Sequence, residues 1–345
     1  MKKSLLTFFC ATIVGVAIII LVSILANAST AVLLAPWVIF ALLAAFGDAG
    51  VGFIDEYLLR KIKHSGSKIE VNAPVRLLLI SGFFGVVVSL SIYLLSFGEI
   101  LPTIAFNRDS LILGVTAGFM EVMWMIPYFY ALDRSSAINA TPLFQTIPIF
   151  TLIIGISFFA EIPSFLHVIA AALILFGGII LNYSPELKKL DKKTILLMVV
   201  SSAVVSTQYF VFREAAAAGN FSTAVFFNGI GMLIFSTLLW LLIKSFREQL
   251  KDFLQQTQYS LIPIQFFNET LYALSTMAAQ FAIVVGPSVM LVTSLNAFHP
   301  IFTLIIGISL AALGVKEQQQ VLSIGKSYLV IGILTIAAGT LMISI

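Results

Sequence analysis

Eleven apolar stretches, each near the length a helix needs to cross a bilayer, constrain this chain more than anything else in it. They run over 5–27, 36–60, 75–98, 110–132, 136–159, 164–183, 194–215, 221–243, 260–284, 288–312 and 322–344. A hydrocarbon core takes about 20 apolar residues in helical form. Inside it each segment must satisfy its own backbone polar groups, which a helix does. Of the 345 residues, 60% are hydrophobic and 10% are charged, whereas a soluble domain carries about a quarter charged residues. The expected fold class is an all-α polytopic membrane protein.

The first stretch stands apart. It reads MKK, then a long apolar run, then Ala26-Asn27-Ala28 before Ser29. That resembles a signal peptide, but the run exceeds the usual apolar region of about 7–15 residues. It is taken as one extra N-terminal helix, segment 1–30, ahead of a ten-helix core. With a cytoplasmic N-terminus, 17 of the 19 basic residues fall on the inner side and only Arg108 and Arg213 on the outer side. This is the positive-inside bias of a bacterial-type inner (plasma) membrane protein. It places the C-terminus outside.

The string PIFTLIIGIS occurs twice, at 148–157 and 300–309. An exact ten-residue match has chance odds on the order of one in 10⁴ to 10⁵, so it reads as a duplicated unit. The copies lie five spans apart, and an odd offset makes the two units run in opposite directions. The expectation is two inverted five-helix repeats, 31–186 and 187–345, with a site near the midplane at their interface.

Three stretches carry a family resemblance: ALLAAFGDAGVGFIDEYLLRK (41–61), AGFMEVMWMIPYFYALDRSSAINATPLFQTIPIFTLIIGISFFAE (117–161) and SLNAFHPIFTLIIGIS (294–309). They resemble the EamA-like branch of the drug/metabolite transporter superfamily. The resemblance implies a five-plus-five helical fold and secondary transport of small metabolites. Two features depart from it. The N-terminal helix is extra, and the second copy reaches its glutamate, Glu317, only after the longer spacer LAALGVKE. The family usually keeps both core termini inside, whereas these charges put them outside.

Ionisable groups in a bilayer core cost about 2.5–3.5 kcal/mol on insertion scales, so they tend to face a cavity or a partner. Several lie on helical stripes. The candidate binding residues are Asp48, Glu121, Trp124, Tyr128, Gln145, Glu269, Tyr272, Asn296 and His299. Asp48 sits between Gly47 and Gly50, where it either faces a cavity or caps a kink. Glu121 and Glu269 occupy what the repeat reads as equivalent positions. His299 precedes Pro300, where it either bonds a carbonyl freed by the proline or relays a proton. Asp55 and Glu56 are read as interfacial, and Arg213 as a snorkelling side chain. The stretches at 75–98, 164–183, 221–243 and 322–344 are plainer and are assigned to scaffold.

The net charge of +3 is too small for nucleic acid. The single cysteine, Cys10, excludes an intramolecular disulfide. His64, His167 and His299 lack metal-site spacing, and no nucleophile–base pair suggests an enzyme. No metal or cofactor is expected. The expected partners are a small-molecule substrate and membrane lipid, with proton coupling through a carboxylate. The function expected is secondary transport of a small polar or cationic metabolite or drug by alternating access. The alternative is a non-transporting assembly or sensor subunit, which would call for long soluble loops.

Overall fold

The computed structural model describes residues 35–63, 72–97, 107–182, 191–255, 261–312 and 326–343. The expected N-terminal helix, Cys10, His64 and Glu317 lie outside the described residues. Every regular element described is helical. In chain order they are α1 Pro36–Lys63, α2 Ala73–Phe97, α3 Arg108–Arg134, α4 Ala137–Ala140, a 3-10 turn Thr141–Thr146, α5 Ile147–Phe158 and α6 Phe165–Asn182. There follow α7 Lys192–Ala218, α8 Phe221–Leu242, α9 Lys244–Gln255, α10 Ile262–Val285, α11 Val289–Ser294, a 3-10 turn Leu295–Phe298, α12 His299–Ala312 and α13 Lys326–Ile343.

Among the described residues, five segments are long and apolar enough to cross a membrane: α1, α3, α7, α8 and the run Val289–Ala312. The starts of α3, α7 and α8 are set by side-chain caps that satisfy free N–H groups. Asn107 accepts from the Asp109 amide at 3.0 Å, Asp191 from Thr194 at 2.8 Å and Asn220 from Thr223 at 2.7 Å.

Two expected spans are broken. The stretch 136–159 divides into α4, a 3-10 turn and α5, and 288–312 divides into α11, a 3-10 turn and α12. Proline explains the first break. It cannot donate an interior hydrogen bond, and it stands near the start of both the 3-10 turn and α5. Pro300 takes the corresponding place in α12. The stretch 244–255, which falls between the apolar stretches 221–243 and 260–284, is helix α9. It is amphipathic. Phe246 and Gln249 are buried, while Lys244, Arg247 and Lys251 are exposed, as suits a helix lying in the interface.

Helix packing comes in matched pairs. α3 lies along α7 as α10 lies along α1, and α3 meets α8 as α10 meets α2. α6 pairs with α13, and α2 with α8. At the α3–α8 crossing the backbones nearly touch. A Cβ on Gly118 would stand 2.0 Å from the Asn228 carbonyl oxygen, and one on Gly231 would stand 2.2 Å from that of Val115. Only glycine allows this approach. α6 and α13 turn Phe176, Ile179, Val330 and Leu334 outward, the face expected toward lipid.

Hydrogen bonds gather basic residues at one end of the bundle. Lys63 binds Asp133 at 3.0 Å, Arg134 pairs with Asp191, and Arg76 donates to Gln249 at 2.6 Å. At the opposite end Asn107 donates to the Ala218 carbonyl at 2.8 Å. There Arg213 pairs with Glu161.

Candidate functional site

A cavity of about 80 Å³, as traced by the centre of a water-sized sphere, lies within the bundle. α1 contributes Asp48 and Asp55, and α2 contributes Ser81. α3 contributes Glu121, Trp124 and Tyr128, α7 contributes Tyr209, and α10 contributes Asn268, Glu269, Tyr272 and Thr276. The broken segments bring Thr141, Phe144, Asn296 and His299 to its wall. Breaking these helices exposes backbone and side-chain polar groups where they border a cavity, which is where a membrane tolerates them.

Each carboxylate lining the cavity is held by neutral donors. Tyr272 and Gln208 both donate to Glu121, Gln208 at 2.8 Å. Ser275 donates to Asp48. Asp55 accepts from Tyr128 at 3.1 Å and from Asn268 at 2.8 Å. Ser81 donates to Glu269 at 2.7 Å, and Gln265 donates to the same oxygen. Apart from Tyr128–Asp55 and Gln265–Glu269, these bonds join helices of one half to those of the other.

Eight of the nine candidate residues from sequence line this one cavity: Asp48, Glu121, Trp124, Tyr128, Glu269, Tyr272, Asn296 and His299. Gln145 does not. Its amide donates at 3.1 Å to the Asn296 carbonyl and so ties one 3-10 turn to the other. Beside it the Thr151 and Thr293 hydroxyls meet at 2.9 Å. His299 stands 3.3 Å from the Thr303 hydroxyl, one turn along its own helix.

Four sequence readings need correction. Asp55 is not interfacial: it is 1% exposed and lines the cavity, because α1 turns that face into the bundle. Glu56 is buried too, pairing with Arg60 and accepting the Ala137 amide at 2.9 Å. Arg213 does not snorkel; it pairs with Glu161. Glu121 and Glu269 are not equivalent. Laying Pro148 on Pro300 and Ser136 on Ser288 sets Glu121 against Ala273 and Glu269 against Ala117. Ser81 on α2, a span read as plain scaffold, also reaches the cavity. A lone serine among leucines gave no stripe by which to find it.

Glu161 stands just beyond α5, where Ala160 adopts φ 52°. This left-handed residue turns the chain so that the Glu161 amide bonds the Gly155 carbonyl at 3.1 Å. The side chain then accepts from Arg213 of α7 and from the Val289 amide at the start of α11, the latter at 3.2 Å. Burial pushes the Glu161 carboxyl above its ordinary value, while Arg213 and the Val289 amide pull it the other way.

Apolar helices closed around a polar cavity define a polytopic integral membrane protein. Residues 35–183 match the model of the EamA-like transporter family. No curated protein matches the chain. Among 22 matching chains of solved structures, one is described only as "Crystal structure of protein". It is 15% identical, covering 85% of this chain and 94% of its own length, with a TM-score of 0.49.

Proposed function

We propose that the protein is a secondary transporter of a small polar or cationic metabolite or drug, working by alternating access at this cavity and coupled to protons. The lining carries the reading. It holds four carboxylates, Asp48, Asp55, Glu121 and Glu269, with the aromatic faces of Trp124, Tyr128, Tyr209 and Tyr272. Carboxylates and ring faces both attract a cation. No Lys or Arg is among the described residues that line it, and an anionic cargo would call for them. Trp124 Nε1 and Asn268 Oδ1 lack hydrogen-bond partners among the described residues, which leaves a donor and an acceptor for a polar cargo. Glu121, bonded across the interface by Tyr272 and Gln208, is the carboxyl we assign to proton coupling.

The two halves, 31–186 and 187–345, act as inverted repeats on this reading. The duplicated string, the two broken segments and the matched helix pairs support it. The membrane is the bacterial-type inner membrane, with the basic end of the bundle cytoplasmic.

The test is a thermal-shift screen of the detergent-purified protein against amino acids, polyamines and nucleosides, with phosphate esters as the contrasting class. Hits are followed by uptake into proteoliposomes under a pH gradient. Stabilisation and uptake of cationic or neutral polar compounds are expected. Stabilisation by phosphate esters alone would overturn the assignment of cargo class.

A further inference from the structure

We propose that a small pocket between α8 and α10 holds water and is a proton entrance to Glu121, separate from the cargo cavity. The proposal rests on the reading of Glu121 as the coupling carboxyl.

The pocket measures about 20 Å³ on the same scale as the main cavity, and Glu121, Asn228, Met232, Tyr272, Thr276 and Gln280 line it. A water molecule needs roughly 10–15 Å³ by this measure. Two buried polar side chains face each other's needs here. Asn228 is 5% exposed and Gln280 1% exposed. Asn228 Oδ1 and Gln280 Nε2 have no hydrogen-bond partner among the described residues. One is an acceptor and the other a donor. Water accepts from the second and donates to the first. A metal cation leaves the Gln280 donor unpaired, and an apolar occupant leaves both unpaired.

Two neighbouring faces of α10 separate the two spaces. Asn268, Glu269 and Ala279 line the main cavity, Tyr272 and Thr276 line both, and Ala273, Met277 and Gln280 line the pocket alone. On α8 the pocket takes Val225, Asn228, Gly229 and Met232, in the half nearer the Asn220 cap, and so lies toward the end of the bundle opposite the basic one. Nearer that end of α8 the Thr223 hydroxyl is 0% exposed and without a partner among the described residues. It stands in the first turn of α8, beside its cap Asn220.

The groups facing Glu121 sort by side. Asp48 from α1, Tyr209 from α7, His299 from α12 and Glu269 from α10 share the main cavity with it, as does Tyr128 of its own helix. Tyr272 stands at the boundary. α8 bears no charged residue and offers only neutral Asn228. A proton leaving the Glu121 carboxyl passes to the water oxygen while another of that water's protons departs to the next water, and entry runs in reverse. Asn228 and Gln280 hold the water and give up no proton.

Hydrogen–deuterium exchange at Glu121 tests the proposal. The reconstituted protein is moved into D₂O and the carboxyl C=O stretch is followed by infrared difference spectroscopy. Loss of that band in Glu121→Gln assigns it. Gln280→Met keeps most of the volume and removes the donor, and it is expected to slow exchange about tenfold or more. Asn228→Leu is expected to do the same, while Asn228→Ser, which keeps an acceptor, exchanges near the wild-type rate. Should Gln280→Met fail to fold, the Asn228 pair carries the comparison. Unchanged exchange in both Gln280→Met and Asn228→Leu overturns the side entrance while leaving Glu121 as the coupling carboxyl. If no carboxyl band disappears in Glu121→Gln at any pH, the coupling reading itself fails, and the entrance with it.

Discussion

Tyr272 of α10 donates its phenolic hydrogen to the Glu121 carboxyl of α3. When Pro148 is laid on Pro300, Tyr272 sits one residue from the position that mirrors Glu121. The two halves thus meet at the proposed coupling site through nearly corresponding positions.

Glu121→Gln keeps the shape and still accepts from Tyr272, but it cannot titrate. It is expected to abolish pH-driven uptake while the protein stays folded and inserted. Counterflow in proteoliposomes across a pH series, with a melting curve of the same preparation, checks this. Lowered melting with unchanged pH dependence would assign Glu121 to holding helices together and move attention to Asp48.

Tyr272→Phe removes one donor and leaves a buried carboxyl oxygen short of a partner. A hydrogen bond to a charged group is worth about 1.5–3 kcal/mol. The variant is expected to lose stability on that scale, measured by thermal melting in detergent.

Gly118→Ala puts a methyl group where the α8 backbone already stands. Overpacking of this kind costs about 1–3 kcal/mol or more. A lowered melting temperature is expected, whereas Gly82→Ala, which meets the movable Ser236 hydroxyl first, should cost less.

Asp191 caps α7 and pairs with Arg134. The Arg134 guanidinium, with help from Thr194, holds its carboxyl well below the ordinary 3.8. A folded-state value below the unfolded one gives stability that is present above the unfolded value and is lost as pH falls through the folded one. The stability gap between wild type and Asp191→Asn should therefore stay level at neutral pH and close only in strong acid. A gap that closes near neutrality would contradict the pairing.

Topology follows from the charge asymmetry. A phosphatase fused after Ile345 is expected to be active and a GFP fusion dark. Fluorescence with a silent phosphatase would show the core inserted the other way up.

Much of the helical architecture was legible because apolar runs of bilayer length leave the backbone few other solutions. The stretches 110–132 and 221–243 map closely onto α3 and α8. Stripes at helical spacing picked out Glu121, Trp124 and Tyr128 as one face, whereas 136–159 and 288–312 read as unbroken spans and are divided by 3-10 turns. The amphipathic α9 was missed because its charges set it outside the apolar stretches. An interfacial helix shows itself by the side its apolar residues take, not by how few charges it carries.

The sequence by itself determined that the chain lives in a bilayer, where its helices run and which residues share a face, since these follow from local composition and a 3.6-residue period. Tertiary structure alone decided which face meets which neighbour. Asp55 looked interfacial by depth, yet Tyr128 and Asn268, distant in sequence, bury it in the cavity wall. Arg213 looked free to reach water, yet the left-handed turn at Ala160 carries Glu161 to it. Such contacts depend on how helices far apart in the chain lean on one another, and no local pattern encodes that.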